Sequence, residues 1–339
     1  MSSPLYLLRL PQLVCAEIIN SMKTTEQFAI SLCSRRAFFV IKSLRRRSNL
    51  LELEAFGYDT VCVKDKNSKL NLKIIHLLEM PTHSENRTII RGVSVTYDFK
   101  NDKGEVTVNI YWKDPKLVGT MNVIEHLCDL FQSEVSVLVI LYDTGTELMD
   151  WLQKRQKTIK CVLVNSEKSE EKIFKAEDLK YIVLTSKSEV IQLNAFCFEP
   201  FQLPELPKTC KVFEAHRGKW LSLNEIMSMN CTDIFAKETE FTIEEINEFI
   251  RHWKNGGSPR LKALQVGMKQ YMWPGLIFGL GLRWLLEVKT YVTPNRAKFQ
   301  FEILHTEIER DDGVKANFKI DQDTGHFCFG VWPDAEGST

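Results

Sequence analysis

Residues 8 to 44, LRLPQLVCAEIINSMKTTEQFAISLCSRRAFFVIKSL, constrain the fold of this chain more than any other stretch. Pro11 suits the first position of a helix, where its missing N–H removes no bond and its fixed φ is already helical. Val14, Ile18, Ile19 and Met22 follow at spacings that gather them on one helical face. Thr24 and Gln27 have capping-box spacing, which predicts that the first helix ends near Lys23 and a second begins. Phe28, Ile30, Leu32 and Cys33 make that second segment apolar nearly all round. Ser34 is placed to cap a third helix with Phe38, Ile41 and Leu44 on one side and Phe39 close by. Three helices in about forty residues cannot bury so many large apolar side chains among themselves. The surplus argues for a partner surface.

The order and spacing of Leu10-Pro11, Ile18-Ile19 and SLCSRR resemble an F-box, the helical module that docks onto the Skp adaptor of cullin-based ubiquitin ligases. Ala29 stands where that family often has a larger aliphatic, and phenylalanines replace its frequent third-helix tryptophan. The resemblance implies adaptor contact by Leu10, Pro11, Val14, Ile18, Ile19, Met22, Phe28, Leu32, Phe38 and Phe39. Without the family, the same segment reads as a helical cap on the domain that follows.

The chain has 339 residues, enough for two domains and a substantial core. Its 44 lysines and arginines balance 44 aspartates and glutamates, so no global field directs it to nucleic acid or an acidic membrane. Nine cysteines are dispersed with no C-x-x-C pair, and the N-terminus lacks the basic and apolar regions of a signal peptide. Reduced thiols in a soluble intracellular protein, cytoplasmic or nuclear, are the expectation. The longest apolar run, Gly275 to Leu286, is too short to cross a bilayer and contains Arg283.

Beyond the helical segment, hairpins are expected over about 55–115. VCVKDKNSKLNLKII turns near Asn67-Ser68, and VSVTYDFKNDKGEVTVNIYW turns near Lys103-Gly104, with Val93, Val95 and Tyr97 on one face. Strand-then-helix units follow over about 118–290. An L-x-x-L-x-L template recurs at Val135-Leu138-Ile140, Ile159-Val162-Val164, Leu179-Ile182-Leu184 and Leu261-Leu264-Val266, with weaker copies at Cys210-Phe213-Ala215 and Met229-Thr232-Ile234. Its spacing is that of degenerate leucine-rich repeats, with an ordinary α/β sheet as the competing reading. Within this region Thr242 and Glu245 make a capping box, and Ile246, Phe249, Ile250 and Trp253 form an amphipathic stripe. Gly256-Gly257 supply the helix exit and Pro259 blocks continuation.

The segment from His252 to Lys262, HWKNGGSPRLK, resembles the type 2 F-box-associated domain found downstream of F-boxes in a large nematode family. Residues 308 to 332 are similar to that family's ending and read as a β-meander with turns at Asp312-Gly313 and Thr324-Gly325. The expected fold class is α+β with α/β character: a three-helix F-box (4–50), then an F-box-associated recognition domain (51–339). The latter contains hairpins, a degenerate leucine-rich-repeat-like α/β region and a C-terminal meander at about 299–332.

Motifs for catalysis are missing: no G-x-S-x-G, P-loop or H-E-x-x-H occurs, so no catalytic, cofactor or metal residue is nominated. His326 and Cys328 share one side of a strand, without a second ligand pair at zinc spacing. Lys42 and Arg45 to Arg47 form the one dense basic run, read as a solvated helix end, with a nuclear-import patch or a phosphate contact as the competing reading. The resemblance implies a non-catalytic substrate adaptor of an Skp–cullin–F-box ligase, with the Skp adaptor, cullin and a protein target as partners. Alternatives are a scaffold acting outside a ligase and a repeat-type protein or nucleic-acid binding module.

Overall fold

Three short N-terminal helices, α1 (Gln12–Ser21), α2 (Thr24–Cys33) and α3 (Arg35–Leu44), follow a 3-10 turn at Leu7–Arg9. Ser34 caps α3 as its position predicts, its hydroxyl accepting the Ala37 N–H at 3.1 Å. Two details differ from the sequence reading. Pro11 is the N-cap residue of α1, with extended ψ, one position earlier than expected. At α2 the reciprocal bond is made by Glu26, whose carboxylate accepts the Lys23 backbone N–H at 2.7 Å. Thr24 is free of that role because its hydroxyl pairs with Ser68 at 2.9 Å, and Gln27 points into the helical interior.

The computed structural model describes residues 7–48, 50–66, 68–76, 86–102, 105–113, 115–142, 146–166, 173–197, 202–203, 206–269, 283–285, 288–292, 298–301, 305–321 and 323–332. They fall into two compact units, Met1–Lys160 and Cys161–Thr339.

In the first unit the helices precede β1 (Glu52–Phe56), β2 (Thr60–Asp65), β3 (Ser68–His76), β4 (Asn86–Ile90), β5 (Val93–Asp102), β6 (Glu105–Trp112), α4 (Lys116–Phe131), β7 (Val135–Leu141) and α5 (Glu147–Arg155). Both expected hairpins are present, as β2–β3 and β5–β6. Asn67 and Lys103-Gly104 of their turns lie outside the described residues. A parallel pairing of β3 with β6 joins the hairpins into one sheet, ordered β7-β1-β2-β3-β6-β5-β4. Val61, Val63, Leu70, Leu72, Ile74, Val108, Ile110 and Trp112 are buried together on one face, where α4 lies with Gly119 against Trp112 and Ile74. Burying such a side chain fully is worth about 1.5–3 kcal/mol, so this face is the unit's main core. The opposite face is polar: Asp98 accepts from Asn109 at 2.7 Å and from the Tyr111 hydroxyl at 2.8 Å.

The chain passes from the first unit to the second within β8 (Ile159–Asn165) and continues with α6 (Ala176–Thr185), β9 (Ser188–Asn194), β10 (Val212–Ala215), α7 (Leu223–Ser228), β11 (Asp233–Phe241), α8 (Ile243–Lys254) and β12 (Ala263–Met268). Strands β8 to β12 lie side by side in sequence order, and β9 to β12 are parallel. The remaining strands are β13 (Arg283–Leu285), β14 (Lys289–Val292), β15 (Lys298–Phe301), β16 (His305–Glu309), β17 (Lys315–Asp321) and β18 (His326–Trp332). The last three form the predicted antiparallel meander, with Gly313 and Gly325 at positive φ in its turns. β18 then pairs antiparallel with β12, so the meander continues the parallel ladder. β14 and β15 form a separate hairpin.

The repeat template needs correction at one copy. Leu179-Ile182-Leu184 lies inside α6, and the strand of that unit is β9. Leu179 and Ile182 are three apart, a spacing that also places two side chains on one helical face, so the template cannot separate the two structures. Apart from Arg283–Leu285 in β13, the apolar run Gly275–Leu286 lies outside the described residues.

Helix α8 matches its sequence signals throughout. Thr242 Oγ1 accepts the Glu245 N–H at 3.3 Å and the Glu245 carboxylate accepts the Thr242 N–H at 2.8 Å. Ile246, Phe249, Ile250 and Trp253 are buried, and Trp253 meets Phe329 of β18 edge-on at 5.2 Å. Gly256 leaves the helix at φ +89°, a conformation that costs glycine little.

Candidate functional site

The polar side chains of the first unit set the shape of its helical module. Gln27 is buried and donates to the Ile19 carbonyl at 2.9 Å and the Met22 carbonyl at 3.3 Å, tying α2 to the end of α1. Its oxygen accepts from Arg45 Nε at 3.0 Å, which brings in the end of α3. Asn20 adds a second clamp, donating to the Leu44 carbonyl at 3.1 Å and accepting the Arg46 N–H at 2.7 Å.

The basic run is only in part the solvated helix end expected: Arg46 and Arg47 are exposed just past α3, and Arg45 turns inward as a structural clamp. Arg45 is largely buried, with its guanidinium 5.1 Å over the Phe131 ring and 3.7 Å from Asp65. Burial lowers its pKa, and Asp65 opposes that shift. Arg46 meets Glu17 at 2.6 Å, Arg47 donates to Gln132 at 2.7 Å, and Lys42 lies 3.6 Å from Asp129. Each base has a partner within the unit.

The ten residues expected to face an adaptor divide into three groups. Pro11 and Val14 are exposed, and Leu10, Ile18 and Met22 are half-buried, along α1 and its flanks. Phe39 is 50% exposed on α3, with half-buried Phe38 meeting its ring edge-on at 5.6 Å. Ile19, Phe28 and Leu32 are buried in the core, where they support the module. Leu13, which the helical-face reading passed over, is 76% exposed, the most exposed of the large apolar side chains described. Its signal was available: it lies three residues after Leu10 and four before Glu17, on the outer side of α1.

Beside α3 is a groove of about 750 Å³, lined among others by Phe38, Phe39, Ile89, Arg35, Arg87 and His126. Burial holds the His126 pKa down to about 4; Asp129 opposes the shift and Arg91 adds to it. The ring is thus neutral at pH 7. It lies against Phe38 at 4.7 Å and Phe28 at 6.0 Å, and its buried Nε2 has no hydrogen-bond partner among the described residues.

Among the described residues, no three His, Cys, Asp or Glu side chains are placed to hold a metal ion, and no helix is long and apolar enough to cross a membrane. The arrangement offers apolar contact surface on a rigid helical module.

Comparison with known proteins agrees with this geometry. Residues 7–49 match the family model for the F-box domain, and residues 204–266 match the model described as F-box associated. The chain is also similar to the Skn-1 dependent zygotic transcript 15 protein of Caenorhabditis elegans, at 23% identity over 91% of this chain and 92% of that protein. No solved structure matches. The three helices over 12–44 fall inside the first match and α8 inside the second, so the chain carries an F-box followed by an F-box-associated segment.

Proposed function

We propose that this protein is the substrate-recognition subunit of an Skp–cullin–F-box ubiquitin ligase. Residues 4–50 dock onto the Skp adaptor, and through it onto cullin, while residues 51–339 hold a protein target. The subunit performs no chemistry of its own. Its contribution is tethering, which raises the local concentration of the target near the ubiquitin-charged enzyme. Such a protein works inside the cell, in the cytoplasm or the nucleus.

The observation that carries this reading is the outward placement of Leu13 and Val14 on a helix of the F-box match. Together with Leu10, Pro11, Ile18 and Met22 they make an apolar strip on a module held rigid by Gln27, Asn20 and Arg45. Burying an exposed leucine and valine against a partner is worth about 1.5–3 kcal/mol each.

For the recognition part, the repeat-like reading is supported by a recurring bond at the strand entries. Lys211 N–H donates to Glu189, Thr232 N–H to Lys211 and Lys262 N–H to Thr232, at 2.7–2.8 Å. One backbone contact thus repeats from strand to strand, as expected of stacked, degenerate units.

Purification of the full chain co-expressed with an Skp adaptor and cullin tests the proposal. A complex containing both supports a ligase subunit. Adaptor without cullin points to a scaffold outside the ligase, and neither one refutes the docking role.

A further inference from the structure

We infer that Cys210 and Cys231 form an oxidation-sensitive pair, which a peroxide converts to a disulfide that staples β10 to β11. The two sulfurs lie 3.7 Å apart, and both side chains are 1% exposed. The structure holds the pair as free thiols.

The backbone puts the pair within reach of a bond. β10 and β11 run parallel with Val212 opposite Asp233, and each cysteine stands two residues before one of these partners. The register extends back through the strand entries. There the Lys211 carbonyl accepts the Thr232 N–H at 2.7 Å, the Asp233 N–H at 3.1 Å and the Thr232 hydroxyl at 2.8 Å. Neighbouring strands lie about 4.7–4.9 Å apart, inside the Cα separation of about 4.4–6.8 Å that a disulfide spans. Closing the sulfur contact to a bond of about 2.05 Å is therefore a matter of side-chain rotation within an unchanged register.

The thiol protons form a short relay: Cys231 donates to Cys210 Sγ, and Cys210 donates to the Val212 carbonyl at 3.4 Å. The hydrogen bond to Cys210 and then burial raise the Cys231 pKa, with the charges of Cys210 and Asp233 adding and Arg260 opposing. A protonated thiol is a poor nucleophile, so the pair stays reduced through brief exposure and links under sustained peroxide. Each cysteine follows an exposed residue, Thr209 or Asn230, in the connection leading into its strand. Local opening of those connections admits a small oxidant without unfolding the sheet. One thiolate then attacks a peroxide oxygen, the O–O bond breaks, and a sulfenic acid forms with release of water. The second sulfur attacks the sulfenic sulfur, the S–O bond breaks, and the hydroxyl leaves with the second thiol's proton as water. Two thiols and one hydrogen peroxide thus become a disulfide and two waters. The new bond closes a loop that carries α7, inside the segment matching the F-box-associated model. Loop closure restricts the unfolded chain, so the oxidised form is the more stable. This chemistry is independent of the docking role proposed above.

The test treats the full chain with hydrogen peroxide in native buffer and again in urea, alkylates the remaining thiols and maps non-reduced peptides by mass spectrometry. The native sample is expected to give a Cys210–Cys231 linked peptide about tenfold or more above any other cysteine pairing, as for two groups held in place. In urea that preference is expected to vanish. The urea midpoint of the peroxide-treated chain should rise, return after dithiothreitol, and stay unmoved by peroxide in C210S and in C231S. Cys33→Ser, at an exposed cysteine, should leave both readouts as in wild type. The inference is overturned by a native sample without the linked peptide, by equal yield of other pairings, or by a link that leaves the midpoint unmoved. The wild-type peptide map and midpoint decide the outcome even where a serine variant fails to fold.

Discussion

Asp233 opens β11 with a carboxylate that is 0% exposed and has no hydrogen-bond partner among the described residues for either oxygen. Its row of the sheet also holds Val212 and Ala263, its partners on β10 and β12, which belong to an apolar cluster with Phe235, Phe301 and Cys328. Burial, with the charge of Glu214 adding, raises its pKa from 3.8 to about 7. The folded state therefore keeps a proton that the unfolded chain releases. Stability from this group is fully present below pH 3.8 and is lost as pH rises to about 7. At about 1.4 kcal/mol per pKa unit, the loss across that window is about 4 kcal/mol, an upper figure if water enters the site. Asp233→Asn removes the titration while nearly preserving shape. Urea unfolding of the full chain, followed by circular dichroism, should show the variant close to wild type near pH 4.5. Its advantage should grow with pH and level off above pH 7, so the expected signal is a pH-dependent gap. A gap that stays constant from acid to neutral pH would refute the buried-carboxylate argument.

Other perturbations address other parts of the molecule. His126→Phe should act with the opposite sign, because wild-type stability from a neutral buried histidine is lost as pH falls from 6.5 to about 4; a variant unfolding curve no flatter than wild type over that window would contradict this. Gln27→Leu removes two donors to α1 carbonyls and strands Arg45 Nε, so thermal unfolding should register a loss of about 2–3 kcal/mol in the first unit. Trp253→Ala empties the contact with Phe329 under the Arg310 guanidinium and should cost about 3–5 kcal/mol, measured by urea midpoint.

Local signals read correctly wherever several agreed on one element. α8 had a capping box, a four-residue apolar stripe and a glycine exit, and every one is present in the structure. The meander turns were legible for the same reason, since glycine at positive φ sits where alternation breaks. Long-range pairings had no such signature. Nothing near β3 or β6 announces that they run parallel, because such a pairing is set by distant packing and not by a turn. The α6 segment was read as a strand because its leucine template fits helical spacing equally well.

The candidate docking surface was legible in part. The F-box pattern located the module, but alternation of apolar residues could not distinguish those facing the core from those facing out. Ile19, Phe28 and Leu32 turned inward and Leu13 outward. The clamps made by Gln27, Asn20 and Arg45 depend on carbonyls and rings brought close only by folding. A basic run in sequence says nothing of which members will be buried.

Quantitative binding of an Skp adaptor to the full chain, wild type beside Leu13→Asp/Val14→Asp, tests the central claim most directly. Both side chains are exposed, so the variant should keep wild-type unfolding behaviour while adaptor affinity falls about a hundredfold or more, as two buried apolar contacts become buried charges. Undiminished adaptor binding by a folded variant would contradict the docking surface assigned to α1.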